Sequence, residues 1–559
     1  LTGGARRSTM ARMKMRALSR CLAGLGVVAV SGCGLVLGLD DFEDAGPVDG
    51  ATSTGTGAGG AGGGATCEPE SEVACYSGPS GTKDVGICRA GTQACKQDGS
   101  GYEACSGEVT PAVETCASTE DEDCDGKDCV VWAVSFGDES LQTARAIAVD
   151  SSGNSYIVGT FDGDIAVGGT VLTSLGSNDI FLIKFAADGA LVWAKGFGSV
   201  DTQWPSAIAV DGEGNVFFSG ITTGPFELGG ASIERGMFLA MVDSLGNPVW
   251  ARRLSGLCSL ETPGVNSIVA TGDNALIIAG EFCEAIDWGG DTLLSTGTRT
   301  DVFIAKLRAS DGSGAATSGS WGKVFGDVER QYGRRVALDN EGRVVFVGEY
   351  RGSVDFGLGS LRAVGGQDIF VARFESDGTV SSQRRVGGTG DDFVGGVALD
   401  SVGGVLLSGD FDGSIDVGGG RFDAADRDGF LLKMTSGGGY QWSLWMSGEG
   451  HQLGQNVAIG SDGDVYVQGE FENTMKFGSA ELISADEHGS LFVARLSRVG
   501  QLSWSRKIDG FSDRRWAGMA LTSSGEPVLL GSFSGIVELG TSTLTTNGGP
   551  DVFLVKLVP

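Results

Sequence analysis

The sequence predicts an all-β fold, a seven-bladed β-propeller, and three observations predict it. First, a strand-rich segment of about sixty residues recurs seven times between Val130 and the C-terminal end of the chain, a period and count that suit propeller blades. Each copy opens a strand with Trp (Trp132, Trp193, Trp250, Trp321, Trp442 and Trp504, with Gln383 in the remaining slot) and carries a Phe in register at Phe181, Phe238, Phe303, Phe370, Phe430, Phe492 and Phe553. Second, glycine is abundant, with 96 copies in 559 residues, and follows no collagen period, which suits many tight turns between short strands. Third, Trp132 opens the repeated region, yet no Trp strand follows Lys556. The N-terminal strand over residues 130–136 is therefore expected to complete the last blade and close the ring, removing the edges that open sheets expose.

Residues 1–32 have the layout of an export signal. Six basic residues and no acid lie between Arg6 and Arg20, and a short apolar stretch, 21–30, follows. That stretch is too short to span a bilayer comfortably. The residues Val30, Ser31, Gly32 and Cys33 resemble the lipobox of bacterial lipoproteins. The resemblance implies a mature N-terminus at Cys33 carrying lipid. Gly34 in place of Asp implies the outer membrane or cell surface rather than inner-membrane retention. Residues 33–66 are rich in Gly, Ala and Thr, bury too little to offset ordering, and read as a flexible tether.

Residues 67–129 hold Cys67, Cys75, Cys88, Cys95, Cys105, Cys116, Cys124 and Cys129 in a stretch poor in core residues, which in an exported chain reads as a disulfide module. Spacing leaves the pairing of the eight open. Within it, Glu114 to Gly126 resembles a metal-binding motif of bacterial surface proteins, a Glu-x-Cys followed by Asp-x-Asp-Cys-Asp-Gly. Asp121, Asp123 and Asp125 alternate like the first ligands of a calcium loop, with Asp128 as a further oxygen donor, so Ca²⁺ is the cofactor considered. Trp132 stands where a full loop of that kind needs a bidentate Glu, and a solvated acidic turn is the competing reading.

Residues 130–559 form the propeller. In the first repeat, the alternating run 145–150 reads as a strand, Ser151 to Asn154 as a hairpin turn, and 155–161 as the return strand. The run 179–185 and the Trp193 strand supply the third and fourth. A Gly follows each return strand (Gly159, Gly220, Gly280, Gly348, Gly409, Gly469, Gly531), which predicts close backbone approach. The motifs Val-Asp-x-x-Gly-Asn, Gly-x-Phe and Asp-x-Phe-x-x-Lys, as in 179–184 and 551–556, resemble the bacterial β-propeller repeat family of secreted proteins. That family brings no catalytic residues to transfer, and these repeats lack the Trp-Asp strand ending of shorter WD blades.

Composition narrows the function. A formal charge of −31 argues against a nucleic-acid partner. Only His451 and His488 exist, which removes His-rich zinc sites and disfavours His-based catalysis. Asp179, Asp301, Asp368, Asp428 and Asp551 recur two residues before Phe, so their expected task is to cap turn N–H groups. Glu227, Asp287, Asp355, Asp416 and Glu538 recur in the loop before the third strand and form either an acidic ring or more turn caps. Cys258 and Cys283 occur in one repeat alone and are expected to pair. The expectation is a monomeric, lipid-anchored propeller that binds or scaffolds an extracellular or envelope polysaccharide or protein. An enzyme acting on extracellular polymers at the channel mouth, a lyase or hydrolase, is the alternative.

Overall fold

The computed structural model describes residues 67–559 apart from 80, 113–121, 123, 125–129, 256–257, 259–261, 298, 315–317, 479, 485–488, 510–514, 540–541 and 559. The expected signal, the tether and Cys33 lie outside the described residues, as do Asp121, Asp123, Asp125, Asp128, Cys116, Cys129 and His488. Every regular element among the described residues is a strand. No helix among them is long and apolar enough to cross a membrane.

The first repeat shows the unit. Gln142–Val149, Ser155–Phe161, Asp179–Phe185 and Leu191–Phe197 pair antiparallel in that order, from the inside of the ring outward. The first turn forms because the Asp150 carboxylate accepts the N–H groups of Ser152 (2.9 Å) and Asn154 (3.0 Å), while Gly153 takes a φ of 80°. The two middle strands are buried along almost their whole length, so both faces are apolar instead of alternating. Cores form between neighbouring sheets: Ile157, Phe181 and Ile183 pack with Val528, Leu530, Val552 and Leu554 from the chain's other end.

Two devices lock repeat to repeat. The indole N–H of each of five tryptophans donates to a turn carbonyl of the following repeat: Trp132 to Ala187, Trp193 to Ser244, Trp250 to Ala309, Trp321 to Ser376 and Trp442 to Arg498, at 2.9–3.1 Å. The expected close approach at the recurrent Gly is also present. Each faces the recurrent Phe across the ladder, as in Gly159 with Phe181 and Gly348 with Phe370. A Cβ at either position would collide with that ring and with a carbonyl of the innermost strand, from Thr143 or Tyr332.

The opening strand Val130–Phe136 pairs antiparallel with Asp551–Leu557 as the outermost member of the sheet that ends the chain. The ring is thus sealed by hydrogen bonds between its two ends.

The expectation of a seven-bladed propeller, seven separate four-stranded blades, is corrected. Five four-stranded sheets stand alone as blades. The strands of the fourth and fifth repeats instead run together, with the small hairpin of the sixth, into one ten-stranded sheet. The fusion falls where the Trp is missing. The fourth repeat's outer strand, Val380–Gly388, continues far enough for Gly387 and Gly388 to pair with Asp416 and Ile415. A Cβ at Gly388 would strike the Ser414 carbonyl, so the second Gly of this pair is what permits the contact. Gln383 turns back to the Gly359 carbonyl of its own repeat, and the neighbouring Arg384 makes the bond to the next one, at Gly438 O, 2.5 Å.

The N-terminal region is disulfide-rich, as expected. Cys67 pairs with Cys95, Cys75 with Cys105, and Cys88 with Cys124, around a two-stranded sheet of Glu72–Cys75 and Gly91–Ala94.

Candidate functional site

The innermost strands carry the chemistry. Each is interrupted by a β-bulge at the same repeat position, between the pairs that flank Arg145, Ser206, Asn266, Arg334, Gly395, Gln455 and Ala517. A bulge leaves one residue out of the ladder and re-aims its neighbours. Here it falls on the strand nearest the axis. The residue after the bulge is small in five repeats (Ala146, Ala207, Ser267, Gly396, Gly518) and large and polar in two, Arg335 and Asn456. A cavity of about 170 Å³ is lined by these strands of six repeats and includes Arg145, Asn266, Arg335 and Asn456, which identifies it as the central channel. It shares Arg145, Ser206 and Asn266 with a wider pocket of about 500 Å³, walled further by Trp204, Pro205, Thr262 and Pro263. The wider pocket lies on the face that carries the connections between repeats.

An innermost strand is an edge strand, so its outward N–H groups need partners. In three repeats the residue after the recurrent Gly of the preceding repeat supplies one. Glu281 accepts the N–H of Gly333 at 3.1 Å, Glu349 that of Val394 at 3.0 Å, and Ser532 that of Ala144 at 3.0 Å. The equivalent place in the second repeat is Pro205, which has no N–H to satisfy, and there the preceding residue is Thr160. In four successive repeats this position is acidic: Glu281, Glu349, Asp410 and Glu470, each less than a tenth exposed. Each carboxylate has a side-chain partner. Asn266 donates to Glu281 at 2.7 Å, Arg334 to Glu349 at 2.8 Å, Arg427 to Asp410, and Gln455 to Glu470 at 3.1 Å.

Burial pushes Glu281 up to about 7, against the pull of the Arg334 guanidinium. Burial likewise pushes Asp410 up to about 7, with Arg427 opposing it. Burial presses the Arg334 guanidinium down, but the Glu349 and Glu281 carboxylates outweigh it and hold that group above its ordinary value. Arg335 has no such contact among the described residues, and burial plus the like charge of Arg334 lower it.

The recurrent Asp-x-Phe carboxylates cap turns, as expected. Asp179 accepts the Leu175 N–H at 2.6 Å, Asp301 that of Thr296 at 2.6 Å, Asp368 that of Val364 at 3.1 Å and Asp551 that of Asn547 at 3.3 Å. Asp428 differs. Its strand, Arg421–Met434, runs unbroken, no turn precedes it, and the Trp445 indole donates instead at 2.7 Å. Glu227, Asp287, Asp355, Asp416 and Glu538 sit on or beside the small outer hairpins, away from the channel lining. Asp287 accepts from Gly289 and Gly290, Asp355 from Gly357 and Gly359, and Asp416 from Gly418. His451 is exposed, 3.8 Å from Glu472. Cys258 and Cys283 are bonded. Their bridge ties the connection containing Thr262 and Pro263, a wall of the wider pocket, to the end of the strand that carries Glu281. Among the described residues, no group of three or more His, Cys, Asp or Glu is placed to hold a metal ion.

Sequence reasoning missed Arg145, Trp204, Asn266, Arg334, Arg335 and Asn456. Their signal was available: aligning the seven innermost strands on the downstream Gly shows variable positions at Trp204, at Arg334 and at Arg335 in their columns, against the uniformly apolar column that follows, with Ile147, Ile208, Ile268, Val336, Val397 and Val457.

No protein-family model matches the chain. It is 29% identical over 163 residues to an uncharacterized WD repeat-containing protein of Acanthamoeba polyphaga mimivirus, covering 25% of this chain and 11% of the viral protein. Among solved structures, the fold is similar to the Neurospora crassa Pan2 WD40 domain (9% identity, 76% of this chain and 96% of that one, TM-score 0.36). It is similar also to the polysaccharide lyase Uly1 (10%, 77% and 100%, 0.39) and to YCF48 from Cyanidioschyzon merolae (11%, 76% and 99%, 0.36). All three scores lie below 0.5, so none of these likenesses bears on function. The chain is a β-propeller preceded by a disulfide-rich N-terminal region.

Proposed function

We propose that this chain is a binding protein of the cell envelope that takes a polysaccharide at the mouth of its propeller channel. One observation carries the reading. Three side chains that break the repeat pattern, Arg145, Trp204 and Asn266, share one pocket of about 500 Å³, within the ~300–1,000 Å³ typical of ligand sites. Its lining suits a sugar: the Trp204 ring offers an apolar face, and Ser206, Asn266 and Arg145 offer hydrogen bonds. The equivalent rings in the fourth and fifth repeats are already covered, Tyr332 by Arg334 at 4.8 Å and Phe393 by Arg427 at 3.8 Å. The private disulfide supports the same reading, since it fixes a wall of this pocket and no other repeat has one.

The test is a binding panel of neutral and acidic oligosaccharides against the purified chain and Trp204→Ala. Binding that falls at least tenfold in the variant, with thermal stability held, supports the proposal. Failure of every sugar to bind overturns it. A polymer-cleaving enzyme is the second reading, favoured by a Glu281 carboxyl pushed to about 7 and bonded to the pocket-lining Asn266. Release of reducing ends or unsaturated products in the same panel separates the two. The lipidated Cys33, the outer-membrane or surface location and Ca²⁺ at Asp121, Asp123, Asp125 and Asp128 belong to the same proposal. Membrane fractionation of Cys33→Ala and calcium titration of the chain test them.

A further inference from the structure

Arg335 is a guanidinium of the channel lining that, among the described residues, reaches neither a carboxylate nor a ring. Its Nη1 donates to two backbone carbonyls, Arg334 O at 3.2 Å and Asn266 O at 3.4 Å. Its Nε and Nη2 have no acceptor among the described residues. The equivalent residue is small in five of the seven repeats, so the side chain is not needed to build the ring. A guanidinium drawn partly out of water is costly unless an anion or a full set of acceptors meets it. The channel lining also holds the Arg145 guanidinium and the neutral hydrogen-bonding groups of Ser267 and Asn456.

We infer that Arg335 binds the carboxylate of an acidic sugar whose ring rests in the wider pocket, so that the polysaccharide of the proposed function is a uronate-bearing one. The inference rests on that reading and names its ligand class. Size supports the division of labour. At about 170 Å³ the channel is smaller than a typical ligand site and admits a substituent, while the 500 Å³ pocket admits the ring. Charge supports a carboxylate over a dianionic phosphate monoester. Glu349 and Glu281 act electrostatically on the adjacent Arg334, and Glu349 on Arg335 as well, so a compact monoanion is tolerated better than a multiply charged group. Geometry supports it too, since Nε and Nη2 lie on one edge of the guanidinium and match the two oxygens of a carboxylate.

The experiment is calorimetry of the purified chain with oligogalacturonate, oligoglucuronate and oligomannuronate, each beside its methyl ester, on wild type, Arg335→Gln and Arg335→Lys. At least one acid is expected to bind ten times or more tighter than its ester. Arg335→Gln erases that gap without weakening the ester, and Arg335→Lys restores part of it. Circular dichroism and thermal unfolding of both variants separate a lost contact from a lost fold. If the esters and acids bind alike, or if Arg335→Gln keeps the gap, the carboxylate inference fails and sugar binding survives. Preference for a sulfated oligosaccharide over every uronate also overturns it. No binding of any sugar, neutral or acidic, removes the proposed function itself.

Discussion

Replacing Phe136 by Ala tests whether the two ends of the chain close one cooperative ring. Phe136 is 4% exposed and lies on the opening strand, in the layer between the sheet that ends the chain and the first repeat. It meets Phe181 edge-on at 5.9 Å and Phe185 at 6.0 Å, and packs with Val552 and Leu554 of the terminal strand. Truncating a buried Phe costs about 3–5 kcal/mol, since the ring leaves a cavity that its neighbours fill only partly. At about 1.4 kcal/mol per decade, that is a hundredfold to a few-thousandfold change in a local opening constant. A chain this long is not expected to unfold in two states, so a global midpoint gives the direction of an effect but not this local free energy. Amide hydrogen exchange read by mass spectrometry measures it. Peptides covering Val130–Phe136 and Asp551–Leu557 are expected to lose protection by that factor, while the distant strands Val344–Tyr350 and Asp368–Phe374 change by less than about tenfold. Unchanged protection in the terminal strand would refute the reasoning, because the opening strand would then be an appendage. Equal loss everywhere would refute it differently, by showing that no seam exists.

Four further outcomes follow from named contacts. Glu349→Ala removes the acceptor of both Arg334 and the Val394 N–H, leaving a half-buried cation unpaired, and is expected to cost about 3–5 kcal/mol in local stability by exchange of the 392–399 strand. Trp193→Phe keeps the ring but loses the 3.1 Å bond to Ser244 O, for about 0.5–1.5 kcal/mol of local stability, measured by amide exchange in the peptide that carries Ser244. Asp392 stands where the first, second, fourth and sixth repeats have Gln142, Gln203, Gln331 and Gln452, and burial beside Asp368 pushes it up to about 8. Folding raises its proton affinity, so its contribution is whole below about 4 and is lost as pH climbs through about 8; Asp392→Asn should raise the thermal midpoint at pH 8 and leave it nearly unchanged at pH 4. Cys258→Ser with Cys283→Ser should weaken sugar binding more than it lowers the thermal midpoint, because the bridge holds a pocket wall rather than a blade core.

The architecture was legible because it is written seven times. A period, a Trp in six copies and a Phe in all seven, and a missing final strand are redundant signals, and the pairing of Val130 with Leu557 depends on nothing else. The separateness of the blades was not legible. It turned on whether one outer strand would run on beyond its sheet, and that turned on Gly388 allowing contact with Ser414 O. Gln383 in the Trp slot was visible and read as a simple gap. That Arg384 would take over the bond to the next repeat needs the outer strand's direction in space, which a sequence does not supply.

The candidate site was hidden by the same redundancy that revealed the fold. Recurring residues hold a repeat protein together, so searching the recurring acids led to turn caps such as Asp301 and Asp287. Glu281, Glu349, Asp410 and Glu470 look like surface charges in a strand, yet they are buried: Glu281 and Glu349 accept an N–H from the bulged edge of the next innermost strand, and Asp410 and Glu470 pair with Arg427 and Gln455. Once these contacts account for the acids, the remaining variation on the innermost strands is small. Ala146, Ala207, Ser267, Gly396 and Gly518 keep the axis open, and a ring of such residues alone would be a featureless tube. Arg335 and Asn456 depart from that column and line the channel, while Arg145 lines both the channel and the wider pocket that Trp204 walls. Drift under relaxed constraint would scatter departures around seven equivalent positions; selection for one ligand would gather them where one molecule can touch them all.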